Sequence, residues 1–153
     1  MHAVLRERLA AAGLTLPEVV APLAAYVPAV QTGNLIFSSG QLPMVNGSLA
    51  ATGKVGADVS PDQARELAQI CALNALAAIG MLCNLDDVIQ VVKVVGFVAS
   101  APGFTGQPAV VNGASELFGM LFGDAGKHAR SAVGVAELPL GSPVEVEVIV
   151  ALR

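Results

Sequence analysis

The run Val144 to Ala151 alternates without a break: Val144, Val146, Val148 and Val150 fall on one side, Glu145 and Glu147 on the other. Successive side chains of a strand point to opposite faces, so this is a strand with one face in a core and one face carrying charge. Such a strand needs a sheet beside it and a second layer over its valines. That layer is spelled out upstream. Ser60 is placed to cap a helix, Pro61 suits the first helical position, and Gln63 completes a capping box. Ala64, Leu67, Ala68, Cys71, Ala75, Ala78 and Leu82 follow at spacings of three and four, which is one apolar helical face. Its alanines permit close packing across a sheet.

The other elements fall around these two. A short helix is expected over Ala3 to Ala12, exposed and ended by Gly13, with His2 disordered ahead of it. Ala25–Gln31 and Leu35–Ser39 flank a short Gly/Asn turn and read as a hairpin. A polar loop covers Pro43 to Ser60. Val88–Ala99 is rich in β-branched residues and reads as a strand buried on much of both faces. Pro108 opens a second helix with Val110, Ala114, Leu117, Phe118 and Leu121 on its apolar stripe, and Gly123 ends it. Ser131–Ala136 is a short strand before the Leu138–Pro143 turn. The order ββαβαββ predicts an α+β fold: a mostly antiparallel sheet with two helices on one face. The apolar second face is expected to pack against copies of the same chain. The whole is one domain, residues 1–153, with 1–20 as an N-terminal helical extension.

Composition narrows what such a domain does. The chain is 54% hydrophobic and 13% charged, with net charge −4. Between Glu66 and Leu152 only Lys93, Lys127 and Arg130 are basic, so there is no stripe to neutralise phosphates, and nucleic acid is not an expected partner. No apolar run reaches the roughly 18 residues of a membrane span: Asn74 and Asn84, Gln90 and Lys93, and Pro22 and Pro28 interrupt the candidates. Glu7, Pro17 and Glu18 spoil a signal-peptide pattern. Cys71 and Cys83 share one predicted helix roughly 18 Å apart, too far for a disulfide. Two reduced core thiols suit a cytoplasmic location. Gly47–Lys54 is not a phosphate loop, because five residues separate its glycines and Val55 stands where Ser or Thr binds magnesium. Ser38-Ser39-Gly40 is not a hydrolase elbow. Asp86 and Asp87 shape a turn. Metal ligands and cofactor motifs are absent from the pattern.

Several segments together resemble one family. Ala129-Arg130-Ser131-Ala132-Val133-Gly134-Val135-Ala136-Glu137-Leu138-Pro139, followed by Val144-Glu145-Val146-Glu147, is similar to the signature of the Rid/YjgF reactive-intermediate deaminases, also labelled L-PSP endoribonucleases. Tyr26-Val27 with Gly33-Asn34-Leu35-Ile36, the loop Ser38-Ser39-Gly40-Gln41-Leu42-Pro43, and Val111-Asn112 match other parts of it in the same order. The chain departs in its N-terminal helix, in a longer Ser100–Pro108 loop, and in Ala132, where the best-studied members carry cysteine. Gly126-Lys127-His128-Ala129-Arg130 looks like a subgroup form. The resemblance implies a chorismate-mutase-like fold, a homotrimer, and three clefts between subunits that each bind a small carboxylate. It implies hydrolysis of 2-imino or 2-enamino acids to 2-oxo acids and ammonia, with no cofactor or metal. The alternatives are a non-catalytic carboxylate-binding trimer and, against the acidic balance, an endoribonuclease.

The residues suit that chemistry. Arg130 can grip a carboxylate through two parallel hydrogen bonds, or simply pair with Glu137. Glu145 can orient water and relay a proton, or merely face solvent on its strand. Tyr26 can wall the cleft or pack in the core. Ser39 and Gly40 can offer hydroxyl and backbone N–H donors, or form a turn. Asn112 can contact ligand or cap a helix, and Ala132 can offer backbone groups only. His128, two residues before Arg130, is an acid/base candidate or a structural loop residue.

Overall fold

The computed structural model describes all residues from Met1 to Arg153. Its main sheet has the order β1-β2-β7-β5-β6, built from Ala29–Thr32, Leu35–Ser38, Val144–Leu152, Val88–Ala99 and Ala129–Val135. All neighbours are antiparallel except β5 and β6, which run parallel with helix α3, Gln107–Phe122, as their crossover. Helix α2 is Pro61–Ile79. A small hairpin, β3 (Met44–Val45) and β4 (Ser48–Leu49), lies in the segment expected to be loop only. The expected ββαβαββ order is therefore present, with the N-terminal helix α1, Ala3–Ala11, added in front.

The two defining segments fold as their patterns dictate. Ser60 Oγ accepts a hydrogen bond from the Gln63 N–H at 3.1 Å, which satisfies one orphan donor at the start of α2. Val144, Val146, Val148 and Val150 are buried beneath the helices, while Glu145 and Glu147 face the other way. Helices α2 and α3 press together so tightly that a Cβ at Gly113 would sit 1.9 Å from the Arg65 carbonyl oxygen, so only glycine fits there. The core between helices and sheet includes Leu76, Ile79, Val91, Val94, Leu117 and Phe118.

Six expectations need correction. The first strand begins at Ala29, because Pro28 has no N–H to give a ladder. Strand β5 is buried on one face only: Ile89 and Val92 are exposed within the chain, since both helices lie on the opposite face. Helix α2 ends at Ile79, which leaves Leu82 exposed and Cys83 outside the helix. Strand β6 starts at Ala129, where parallel pairing with Lys93 begins. Helix α1 is docked rather than exposed. Leu5 and Leu9 enter the core, and Asp86 accepts from the Val4 and Leu5 N–H groups at 3.0 Å, a carboxylate at a helix start. His2 is ordered too: its Nδ1 accepts from the Leu85 N–H at 2.9 Å, and its own N–H donates to Asn84 Oδ1. Both thiols are free, and burial raises both: Cys71 well above its usual range, and Cys83, with Asp87 adding, to about 11. No helix is long and apolar enough to cross a membrane.

Candidate functional site

Arg130 is delivered by the edge strand. In the parallel ladder it stands opposite Val94, a core residue, so it leaves the sheet on the helical side. Being on the outermost strand, it curls onto α3 instead of entering the core. There its Nη1 donates to Asn112 Oδ1 at 2.7 Å and to Ser115 Oγ at 3.2 Å. Asn112 and Ser115 are three residues apart and so share a helical face. No carboxylate pairs with Arg130. Glu137, the other partner weighed for it, is bound instead to Lys54 at 2.8 Å. With Nη1 committed to two acceptors, the Nε–Nη2 edge of the guanidinium remains, and that edge has the spacing of a carboxylate. Ser115 Oγ in turn lies 2.9 Å from His128 Nε2, and His128 Nδ1 lies 2.7 Å from the Gly126 carbonyl. Ala132, one alternation further along β6, packs its methyl against the core.

Glu145 sits elsewhere. It is opposite Phe97 on β7, on the face away from the helices. Its carboxyl group lies against Gly40, where an added Cβ would be 2.9 Å from Glu145 Cδ and 3.0 Å from Oε2. Burial, and then the charge of Glu147, push the Glu145 carboxyl above its ordinary range. The Gly40 N–H donates to nothing within the chain. Beside it, Tyr26 is half-exposed, and its hydroxyl oxygen accepts from the Leu23 N–H at 3.3 Å. Tyr26, Gly40, Pro22, Leu23 and Pro28 help to wall a small hollow of about 20 Å³. Ser39 Oγ donates to the Val27 carbonyl at 2.6 Å, so this hydroxyl holds the Tyr26 segment in place.

The named residues thus form two groups on opposite faces of one sheet. Arg130, Asn112 and Ala132 belong to the β6–α3 edge. Glu145, Gly40, Ser39 and Tyr26 belong to the β2–β7 side. The hollow beside Tyr26 includes none of the first group, nor any of the Ser100–Pro108 loop. That loop is pinned at the start of α3, where Gln107 Nε2 donates to Ser100 Oγ and the Phe104 carbonyl.

Comparison with known proteins now bears on this arrangement. Residues 6–152 match the family described as "YjgF/chorismate_mutase-like, putative endoribonuclease". The chain belongs to this family. Among relatives of the YjgF-like chain, Protein TCP17 of Trypanosoma cruzi is 43% identical over 143 residues, 92% of this chain and 89% of the relative. The 2-iminobutanoate/2-iminopropanoate deaminase of Escherichia coli (strain K12) is 35% identical over 137 residues, 90% of this chain and 92% of the relative. Among solved structures, protein Atu1372 of Agrobacterium tumefaciens superposes with a TM-score of 0.91 at 44% identity, covering 99% of this chain and 95% of that one. Escherichia coli TdcF with bound serine superposes with a TM-score of 0.59 at 26% identity, covering 89% and 94%.

Within the YjgF-like fold, the residue that sequence reasoning did not single out is Ser115. A serine inside a helix has no signature of its own. The available signal was its place three residues after Asn112, on the helix that precedes the arginine strand. No cluster of three or more His, Cys, Asp or Glu side chains is arranged to hold a metal ion.

Proposed function

We propose that this protein hydrolyses small 2-imino and 2-enamino acids to 2-oxo acids and ammonia, in clefts formed where protomers of a homotrimer meet. The observation that carries the reading is Arg130: a half-buried guanidinium, oriented by two neutral acceptors, with no acid of its own chain to neutralise it. A cation fixed in this way is suited to an anion that arrives from outside. The split of candidate residues over two faces supports an inter-subunit site, because association can bring Arg130 of one protomer to Glu145, Gly40 and Tyr26 of the next. The apolar outer face of the sheet, with Phe37, Ile89, Val92 and Val133 exposed, supports that association. The deaminase named among the relatives and the serine held by TdcF support the substrate class.

The chemistry follows from the parts. Arg130 holds the substrate carboxylate by its Nε–Nη2 edge, and the Gly40 N–H is free to donate to the same anion. Water attacks the imine carbon. As the C–O bond forms, the C=N π pair moves to nitrogen, and Glu145 takes a proton from the water. Its raised proton affinity favours this uptake. Glu145 then gives that proton to the nitrogen of the carbinolamine. The hydroxyl proton passes through Glu145 to the same nitrogen as the C–N bond breaks and C=O forms, and ammonia departs. The sum is imino acid plus water giving oxo acid plus ammonia. The cytoplasm, where such imines would arise and thiols stay reduced, is the proposed location.

The test is hydrolysis of 2-iminobutanoate or 2-iminopropanoate by the wild type and by Arg130→Ala. The wild type is expected to accelerate ammonia release, and the variant to lose at least about tenfold in kcat/KM. A wild type that binds 2-oxobutanoate but accelerates nothing would favour the second reading, a carboxylate-binding trimer without catalysis. Ala132 favours that reading, since it puts only a methyl where the best-studied members carry a thiol. Ribonuclease activity is disfavoured by the net charge of −4.

A further inference from the structure

Arg130 is the last link of a hydrogen-bonded chain whose direction can be worked out atom by atom. The Gly126 carbonyl oxygen can only accept, so the His128 Nδ1 beside it at 2.7 Å carries the hydrogen. In the neutral ring, Nε2 is then bare and can only accept. Ser115 Oγ, 2.9 Å from Nε2, therefore donates its hydroxyl hydrogen to the ring. That turns the lone pairs of Ser115 toward Arg130, whose Nη1 donates to them at 3.2 Å. The far end is anchored as firmly as the near end. Gly126 lies so close to α3 that a Cβ there would fall 2.3 Å from the Phe118 carbonyl oxygen, and the His128 ring stands edge-on to the Phe118 ring, centroids 6.0 Å apart. Each bond in such a chain polarises the next.

We propose that His128 is a positioning residue: by fixing the hydroxyl of Ser115, it sets the rotation of the Arg130 guanidinium so that the Nε–Nη2 edge faces the ligand. Without that constraint, Asn112 alone would hold Nη1, and the plane could swing about one bond. The inference rests on the reading of Arg130 as the carboxylate holder. It assigns His128 to binding, through Ser115 and Arg130, and not to proton transfer at the imine. Ligands with a flat 2-oxo or 2-imino carboxylate gain most from a guanidinium held in one plane, so this relay contributes to substrate selection.

The experiment measures 2-oxobutanoate binding by calorimetry, and KM and kcat for 2-iminobutanoate, in the wild type, Ser115→Ala, His128→Asn, the double variant and Arg130→Ala. An asparagine at 128 can still donate to Gly126 through Nδ2, but it has no acceptor at the Nε2 position. A loop pin would survive His128→Asn; the relay would not. We expect Ser115→Ala and His128→Asn each to weaken 2-oxobutanoate binding and raise KM about fivefold to tenfold, with kcat changed by less than about twofold. The double variant should be no worse than either single one, because both cut the same chain. Wild-type KM in His128→Asn, or penalties that multiply in the double variant, would overturn the proposal. Should His128→Asn fail to fold, as read by its thermal transition, His128→Phe, which keeps a ring against Phe118 but offers no acceptor to the Ser115 hydroxyl, is judged by the same KM criterion. Arg130→Ala separates the levels. Unchanged binding there defeats the parent reading, whereas lost binding there with normal Ser115→Ala and His128→Asn defeats only the relay.

Discussion

The two halves of the candidate site differ in how finished they are. Around Arg130 the folded chain has done the work itself: Asn112 and Ser115 accept from Nη1, and His128 and Gly126 back them up. Around Glu145 it has left things undone. The carboxyl is pushed up by burial and by Glu147, it rests against a glycine, and the N–H of that glycine has no partner. The first half is built to hold still. The second has a carboxyl with raised proton affinity and a free N–H donor beside it, which is what the proposed chemistry asks of it. The halves face away from each other in one chain, and in the proposed function each works with the opposite half of a neighbour.

The largest effect tests that need directly. Arg130→Ala and Glu145→Ala should each be nearly inactive alone, and a mixture unfolded and refolded together should regain activity. In a ring of heterologous contacts mixed one to one, about one quarter of the clefts would join an intact Arg130 to an intact Glu145. Activity near that fraction of wild type is the expected outcome. A mixture as dead as its parents would break the comparison, because it would mean that both residues serve from one chain or that one of them serves nowhere.

Glu145→Gln comes next and separates the halves energetically. Losing the acid/base group should lower kcat about a hundredfold, with KM little changed. The same substitution should stabilise the fold near neutral pH. The sign follows from the raised folded-state pKa: this group's contribution is fully present below its ordinary value of 4.5 and is lost as pH rises through the folded value. Removing the charge recovers that loss, so the Tm of Glu145→Gln should exceed wild type at pH 7 and match it near pH 4. An equivalent gain from Arg130→Ala is not expected, because its hydrogen bonds are satisfied. Gly40→Ala should have a smaller effect of the same kind. The new methyl displaces only the mobile end of Glu145, so Tm should hold while kcat falls about tenfold from misplacement.

How much of this could be read in the sequence depends on the range of the interaction. The cap at Ser60, the valine face of β7 and the full extent of β5 are local or periodic signals, and the fold follows them. Arg130 was legible as a residue of a motif. Its setting was not, because Ser115 and Asn112 meet it only through the parallel β5–α3–β6 crossover. Glu145 was legible as alternation, yet its contact with Gly40 depends on the turn after β2 folding back beside β7. The open face of β5 illustrates the same limit from the other side. Its β-branched run reads as doubly buried, and one chain can cover only one face of it. The N-terminus was least legible, since His2 and α1 are held by Asn84, Leu85 and Asp86, residues more than 80 positions away.

That distant clamp supplies the smallest prediction, and a useful contrast with Glu145. His2 Nδ1 must be unprotonated to accept from the Leu85 N–H, and burial, then Arg6 and the N-terminal amine, hold its pKa below 6.5. A depressed folded-state pKa means that the unfolded chain binds the extra proton first. Its contribution is therefore present above about 6.5 and lost as pH falls through the lower folded value. Glu145 makes the fold less stable as pH rises, and His2 makes it less stable as pH falls. The two slopes belong to opposite ends of the chain. His2→Asn, which removes the ring but not the backbone bond to Asn84, should flatten the acid-side loss of Tm below about pH 6.5 and leave KM and kcat for the proposed imine hydrolysis unchanged, because α1 touches neither half of the site. An acid-side slope that survives in His2→Asn would mean that some other group near the helices titrates there.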